Sequence, residues 1–141
     1  MSYVVYKERL YDASVDAVWA IISDHCGMHR WLVPGMKIRL EPEGVPAPNG
    51  VGAVRVIERV GFKAVEKVVL FEPPHRMNYT VLKGFPIKSH LGEVVLQAQG
   101  EQTLVSWTVT FDAKYPGTGW FLKAIVNNVI GSGLKRLGPL L

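Results

Sequence analysis

Cysteine is almost absent from this chain, since Cys26 is the single one among 141 residues. An internal disulfide is therefore excluded, and so is a zinc site built from several cysteines. No apolar stretch approaches the roughly 20 residues that a membrane-spanning helix needs. The first residues carry Lys7, Glu8 and Arg9 where a signal peptide would have an apolar segment. We therefore expect a cytoplasmic protein with no integral membrane segment.

Dense runs of one charge are also absent. The 16 Lys and Arg residues exceed the 12 Asp and Glu residues, which gives a net charge of +4, but they are scattered along the sequence. A nucleic-acid-binding protein concentrates its basic residues on one face, so we expect no nucleic-acid partner. Hydrophobic residues make up 48% of the chain and argue against disorder. The length fits one domain over residues 1–141.

Local patterns predict a strand, two short helices, six strands and a long helix, in that order. Ser14 is a suitable N-cap, and apolar residues follow it at helical spacing. A second short helix is predicted at about residues 28–32. Alternation predicts strands at residues 3–11, 36–41, 51–59, 62–71, 75–82, 90–98 and 103–112, and an apolar stripe predicts a long helix at about residues 119–137.

This order of elements indicates an α+β fold. Consecutive strands joined by short turns favour an antiparallel meander, and the terminal helix is the one element long enough to cover its apolar face. We expect a curved seven-stranded antiparallel sheet wrapped around the long C-terminal helix, with the two short helices after strand 1. A curved sheet need not close fully on one helix, and the space left between them is a natural ligand cavity.

Several short motifs occur in a fixed order along the chain. They are ASVDAVW at residues 13–19, GVGAVR at 50–55, Glu66, FEPP at 71–74, Tyr79, GFP at 84–86 and SW at 106–107. Together they resemble the helix-grip proteins of the START and birch-pollen-allergen superfamily (SRPBCC), and most closely its polyketide cyclase/dehydrase-like branch. The resemblance covers nearly the whole chain and implies a helix-grip fold with a hydrophobic ligand cavity. It does not imply one reaction, because members include carriers, cyclases and receptors.

Strand registers indicate which side chains face this cavity. A two-residue turn at residues 100–101 places Trp107 and Phe111 on the apolar, inner face, opposite a second strand that carries His90. The turns at residues 85–86 and 73–74 extend the same face to Tyr79, and then to Leu70 and Glu66.

One hairpin adds a charge argument to this register. A turn at residues 60–61 pairs Arg55 with Glu66 on the inner face and Glu58 with Lys63 on the outer face. Two pairs of opposite charge in a single register support that register, because like charges directly opposite each other are destabilising.

The strand registers give six candidate ligand-binding residues, and the helices and the β-turn at residues 85–86 add three more, while the catalytic residues stay unassigned. The Arg55–Glu66 pair could orient a polar ligand group or move protons, but it can also be purely structural. His90 could be an acid, a base or an ordinary interior histidine. The aromatic candidates could pack in the core or line the cavity. Asn127 and Asn128 interrupt the apolar stripe of the terminal helix, and one of them could offer its amide to the ligand while the other is exposed. The nine are Trp31, Arg55, Glu66, Tyr79, Phe85, His90, Trp107, Phe111 and Asn127.

No cofactor or metal is expected. His25, Cys26 and His29 lie close together in the sequence, but no carboxylate with ligand spacing follows them. No nucleophile accompanied by an activating base is evident either.

The sequence favours the binding of a hydrophobic small molecule, such as a lipid, a polyketide or an isoprenoid. One alternative is an enzyme of polyketide cyclase or dehydratase type that uses inner-face Arg, Glu, His or Tyr side chains. A second alternative is an interaction module whose groove receives a partner segment. We expect a monomer or a weak homodimer.

Overall fold

The computed structural model describes residues 2–141, and the predicted α+β architecture is confirmed. The strands are β1 (Ser2–Tyr11), β2 (Lys37–Leu40), β3 (Val54–Arg59), β4 (Phe62–Glu72), β5 (Arg76–Lys83), β6 (Ile87–Gln99) and β7 (Gln102–Ala113). The helices are α1 (Val15–Ile22) and α2 (Gly119–Leu137), with short 3₁₀ helices at His25–Arg30 and Gly138–Leu140. All seven strands form one antiparallel sheet in the order β1-β7-β6-β5-β4-β3-β2, and α2 packs on it.

Three elements differ from the sequence prediction by more than one residue at an end. The second short helix is a 3₁₀ helix that begins and ends earlier, at His25–Arg30. The strand predicted from residue 51 begins only at Val54, because Gly52 has a positive φ of 91° that a strand cannot continue. The strand predicted from residue 90 begins at Ile87, because its pairing with β7 runs past an irregularity.

Helix α1 begins where its cap predicts. The Ser14 hydroxyl accepts a hydrogen bond of 3.2 Å from the backbone N–H of Ala17, which satisfies one of the free donors at the helix start. The helix buries Val18, Trp19 and Ile22 in the core. It therefore anchors the chain between β1 and the 3₁₀ helix.

The two halves of α2 pack differently. In the C-terminal half, Leu134 and Leu137 are buried, and the Tyr11 hydroxyl donates a hydrogen bond to the Leu134 carbonyl. In the N-terminal half, Phe121 and Ile125 remain exposed although they face the sheet side. The helix is thus tied down at one end and stands off the sheet at the other. Within residues 2–141, no helix has the length and hydropathy that a bilayer crossing demands.

The strand registers match the prediction except near the turn between β4 and β5 and at the start of β6, where the pairing with β7 shifts between Lys88 and Leu91 and His90 is not paired with Phe111 as predicted. Arg55 lies opposite Glu66, and Tyr79 lies opposite Gly92. The prediction that Leu70 faces inward is wrong, because the register shifts between Val68 and Leu70 and a different side chain, Phe71, packs against the core. The turn also contains one residue more than predicted, since Glu72 pairs with Arg76. The two irregularities cancel, so Glu66 still faces inward.

Candidate functional site

A cavity of about 500 Å³ lies between the sheet and the N-terminal half of α2. The helix contributes an entirely apolar wall to it: Phe121, Leu122, Ile125, Val126, Val129 and Ile130. The sheet contributes a second wall, in which small and medium side chains such as Ala64 and Val109 leave the space open. A volume of this order lies in the range of small-molecule sites.

The lining contains four ionisable side chains, namely Arg55, Glu66, Tyr79 and His90, and all four lie on the sheet wall. The guanidinium of Arg55 lies 4.6 Å from the centroid of the Tyr79 ring, and that ring lies 5.4 Å from the His90 ring. We call these four residues the polar cluster. One wall of an otherwise apolar cavity can therefore make directional contacts, which is how such cavities orient a ligand.

The centre of the polar cluster is a buried ion pair between neighbouring strands. Arg55 Nη2 on β3 donates to Glu66 Oε1 on β4 at 2.6 Å. Arg55 is 3% exposed and Glu66 is 9% exposed. Because the two opposite charges are in direct contact at a short distance, the pair can remain charged away from bulk water. Arg55 Nε has no hydrogen-bond partner within residues 2–141.

His25 holds the other side of the guanidinium. Arg55 Nη1 lies 3.2 Å from His25 Nδ1, and His25 Nε2 lies 2.8 Å from the backbone carbonyl of Asn49. A carbonyl can only accept and a guanidinium can only donate, so His25 carries its proton on Nε2 and accepts at Nδ1. The imidazole is therefore neutral, and it links the cation to the loop before β3.

This role of His25 could not be predicted from the sequence. Asn49 lies in the Pro- and Gly-rich segment between β2 and β3, and only the folded chain brings it against the 3₁₀ helix. The expected absence of a metal at His25, Cys26 and His29 stays a prediction. In the structure, His29 Nδ1 lies 2.9 Å from the Cys26 carbonyl, so a ring nitrogen of each histidine contacts a backbone carbonyl.

The neutral state of His25 makes the stability of the protein depend on pH. Burial, and secondarily the Arg55 charge, lower the pKa of His25 from 6.5 to about 3. Below pH 6.5 the unfolded chain binds a proton that the folded protein excludes, so the free energy of unfolding falls as the pH drops from 6.5 towards 3.

Between pH 7 and pH 5, the free energy of unfolding of the wild type should fall by about 2 kcal/mol more than that of His25→Gln. Each pH unit below the pKa of the unfolded histidine lowers the free energy of unfolding of the wild type by up to about 1.4 kcal/mol. Urea unfolding at the two pH values measures this difference. The exposed His29 serves as the control, and His29→Gln should behave like the wild type. An unchanged pH dependence in His25→Gln would contradict the neutral assignment.

Two neighbours determine the position of the Tyr79 ring: Trp107 bonds its hydroxyl, and Gly92 leaves room for the ring. The indole Nε1 of Trp107 donates to the Tyr79 hydroxyl at 3.0 Å, and the two rings meet edge to face at 6.3 Å. The Tyr79 ring lies across Gly92 on the adjacent strand, where a Cβ would overlap the ring. Burial raises the pKa of Tyr79, so the hydroxyl stays protonated. Gly92 is therefore the residue that gives the ring its space.

Replacement of Gly92 should displace this ring. We expect Gly92→Ala to lower the free energy of unfolding by about 2 kcal/mol, the usual cost of overpacking a core. The same change in a Tyr79→Ala background should cost much less, because the overlapping ring is then absent. Chemical denaturation of the four proteins in this cycle measures the coupling. Equal costs in both backgrounds would show that the Tyr79 ring does not occupy this space.

His90 enters the cavity from an irregular part of β6. The register with β7 shifts between Lys88 and Leu91, and Ser89 has a positive φ of 53°. His90 Nδ1 accepts a hydrogen bond of 3.1 Å from the backbone N–H of Val81. Burial lowers the pKa of His90, so the ring is neutral and carries its proton on Nε2. In the described part of the chain no side chain or backbone group bonds this Nε2, which leaves it as a donor for a ligand.

The structure brings five of the nine sequence candidates into the lining. These are the four members of the polar cluster and Phe85, which is 37% exposed and lies at the cavity mouth. The sequence did not single out Met28 or the exposed Phe121 and Ile125, which also line the cavity. Apolar residues at helical spacing were the available signal for the last two.

The other four candidates lie outside the lining. Trp107 is covered by Trp31, with ring centroids 6.0 Å apart, and both are buried. Phe111 is covered by the ring of Tyr3, at 5.6 Å. Asn127 is exposed on the outer side of α2 and does not offer its amide to the cavity. The inner face of the sheet therefore contains both cavity wall and filled core, and strand parity alone does not separate them.

Comparisons with known proteins agree on the architecture. The family model described as polyketide cyclase/dehydrase and lipid transport matches residues 3–140. A solution structure of a protein from Thermobifida fusca is 26% identical, with a TM-score of 0.81, and the match covers 96% of this chain and 90% of the other. Norcoclaurine synthase from Thalictrum flavum, solved with dopamine and hydroxybenzaldehyde, is 16% identical with a TM-score of 0.76, covering 99% and 86%. A search of the curated proteins gave no match.

Proposed function

Because the chain belongs to the polyketide cyclase/dehydrase and lipid transport family, we propose that it binds a hydrophobic small molecule with one polar end. The observation that carries this proposal is the 500 Å³ cavity, which has an apolar helix wall and a polar cluster confined to the sheet wall. The apolar body of the ligand lies along α2, and its polar end meets Glu66 and His90.

Most of the affinity comes from the apolar body. Burying about 200 Å² of apolar ligand surface is worth about 5 kcal/mol at about 25 cal/mol per Å². Part of that gain is lost to the ordering of the ligand and the mouth side chains. A lipid, a polyketide or an isoprenoid with a hydroxyl or a phenol group fits this description.

The polar cluster sets the orientation of the ligand. Glu66 Oε1 accepts a hydrogen bond from Arg55, while its second carboxylate oxygen has no protein donor within residues 2–141. The Glu66 side chain lines the cavity, so this second oxygen is the acceptor offered to a ligand. His90 Nε2 provides a donor in the same cavity. An acceptor and a donor together match a group that both donates and accepts, which a hydroxyl does and a simple carbonyl does not.

A pair of matched probes tests this proposal. We expect 2-naphthol to bind about tenfold more tightly than naphthalene, since the two differ only in the hydroxyl that Glu66 and His90 receive. In Arg55→Met/Glu66→Leu, which removes both partners of the buried pair and leaves no unpaired charge, this preference should disappear, while naphthalene affinity stays the same or improves. Isothermal titration calorimetry measures both constants. Binding of neither probe would contradict the cavity proposal, and an unchanged preference in the double variant would contradict the role of Glu66.

A second function is supported by the same two side chains. Glu66 and His90 share the cavity and could transfer protons to and from a bound substrate, as a cyclase or dehydratase requires. Mass spectrometry of compounds that co-purify with the protein separates the two functions. A carrier yields the same compound from the wild type and from Glu66→Gln. An enzyme yields an unreacted compound from Glu66→Gln that the wild type does not retain.

A further inference from the structure

Three segments surround the mouth of the cavity and touch one another. They are residues 59–63 at the β3–β4 hairpin, residues 82–88 at the β5–β6 turn and residues 114–125 at the start of α2, and together we call them the rim. The rings of Phe62 and Phe85 lie 5.5 Å apart, and the Lys114 backbone N–H donates to the Pro86 carbonyl at 3.0 Å. Gly84 packs so closely on β4 that a Cβ there would overlap its backbone. The rim is therefore one continuous surface.

Large apolar side chains on the rim are exposed to solvent. Trp120 is 71% exposed and Phe121 is 69% exposed, on the first turn of α2. The hairpin and the turn add further exposed apolar residues: Val60, Leu82 and Phe85. Exposed apolar patches around a binding site usually mark an interaction surface, because leaving them in water is unfavourable.

The charge of the rim has one sign. The three segments contain Arg59, Lys63, Lys83, Lys88, Lys114 and Lys123, and no Asp or Glu. None of these six forms an ion pair with a carboxylate anywhere in residues 2–141. The nearest carboxylates in the strand registers are those of Glu58, which pairs with Arg39, and Asp112, which accepts from Ser2. The basic residues that are scattered in the sequence are thus concentrated by folding.

We propose that the rim docks the protein on an anionic phospholipid bilayer and so delivers the cavity mouth to the membrane surface. Aromatic side chains favour the interfacial region of a bilayer, and Lys and Arg favour its negative surface. A second copy of the chain is a poor occupant, since a symmetric rim-to-rim contact would bring six cations against six. Docking does not require that the cavity bind any particular ligand, so it stands apart from the proposed function.

The chain contains its own reporter for this docking. Of its four tryptophans, Trp19, Trp31 and Trp107 are buried, and Trp120 alone is exposed. Insertion of the rim into a bilayer would shift Trp120 emission to shorter wavelength and shield it from an aqueous quencher. The buried indoles should change little, and Trp120→Phe should remove the signal without removing the binding.

The test is flotation and tryptophan fluorescence with two kinds of vesicle, pure phosphatidylcholine and phosphatidylcholine containing phosphatidylglycerol. We expect binding to the anionic vesicles with a blue shift, and loss of binding at high salt. Each neutralised rim cation should weaken binding about fivefold, and each charge reversal more than tenfold. Lys83→Glu and Lys114→Glu are the test variants.

Lys135→Glu is the matched control for charge. Lys135 is exposed on α2, about 18 Å along the helix axis from Lys123 at about 1.5 Å per residue, away from the rim. Its reversal changes the net charge equally and should leave vesicle binding nearly unchanged. Leu10→Ser, on β1 and far from the mouth, is the matched control for Trp120→Ser, which should weaken binding.

Several results would overturn the docking proposal. One is that the protein binds neither kind of vesicle, and another is that it binds neutral and anionic vesicles equally. A third is that Lys135→Glu weakens vesicle binding as much as Lys83→Glu does. Binding of an anionic polymer such as heparin without vesicle binding would also overturn it, since the rim would then be a general anion surface. Each variant's circular dichroism spectrum and unfolding midpoint show whether it is folded.

Discussion

Val126→Trp is expected to weaken 2-naphthol binding about 100-fold while the protein remains folded. Val126 projects from α2 into the cavity, where it lines the wall opposite the polar cluster. A tryptophan there occupies space that the ligand needs, and the existing void accepts the larger side chain without severe overpacking. A 100-fold loss corresponds to about 2.7 kcal/mol of binding free energy. Isothermal titration calorimetry measures it directly.

The next residue along the helix supplies the control. Asn127 is exposed and lies outside the cavity lining. Asn127→Trp adds an indole to the same helical turn, but on the outer side, and it should leave the affinity within about twofold. Equal losses in Val126→Trp and Asn127→Trp would show that binding depends on the helix surface and not on the enclosed space.

Arg55→Met is expected to destabilise the protein by about 3 kcal/mol or more. The change removes the partner of a buried carboxylate, and an uncompensated buried charge is far more costly than the pair itself. It also leaves His25 without the donor that now satisfies Nδ1. Urea unfolding at pH 7 measures the loss. A cost below about 1 kcal/mol would contradict the view that the pair is desolvated.

Two further variants separate burial from charge. In Arg55→Met/Glu66→Leu both charges are gone, and we expect most of the stability to return because neither group remains unpaired. The exposed pair of Arg39 with Glu58 provides a surface comparison, with a nitrogen–oxygen distance of 3.4 Å. Arg39→Met should cost less than about 1 kcal/mol. Equal costs for Arg39→Met and Arg55→Met would mean that the inner pair is effectively solvated.

The sequence was sufficient to predict the inward pairing of Arg55 with Glu66. Strand alternation and two opposite-charge pairs defined one register, and the structure has it. The sequence prediction missed two features near residues 69–75, an extra turn residue and a β-bulge. Each of them reverses which face of the sheet the side chains lie on, so together they leave the predicted orientation of Glu66 unchanged. The fold and the bounds of α2 depend on such local patterns and were therefore accessible from the sequence, whereas the second short helix was predicted about three residues too late.

The shape of the cavity could not be predicted from the sequence in the same way. Parity places Trp107 and Phe111 on the inner face but does not reveal that Trp31 and Tyr3 cover them. Those contacts join residues far apart in the chain. The same holds for His25, whose partners Asn49 and Arg55 come from other segments. Packing between distant segments decides which part of an inner face is filled and which part stays open.

The concentration of basic residues around the mouth is a further product of topology. The three rim segments are separated in sequence by long strands, so the scattered lysines gave no sign of a common surface. Folding places hydrophobic side chains and cations together at the opening of an apolar cavity. A ligand that leaves a bilayer through this opening would pass from lipid to cavity wall with little exposure to water.

Methyl and amide NMR spectra recorded during titration with 2-naphthol test the cavity most directly. We predict that the largest chemical-shift changes fall on the Val109, Val126 and Val129 methyl groups. Intermolecular nuclear Overhauser effects should place the hydroxyl end of the ligand near the polar cluster. The exposed methyl groups of Val4 and Leu10 on β1 should not respond. Shift changes confined to β1, or spread evenly over the exposed apolar residues, would contradict an enclosed binding site between the sheet and α2.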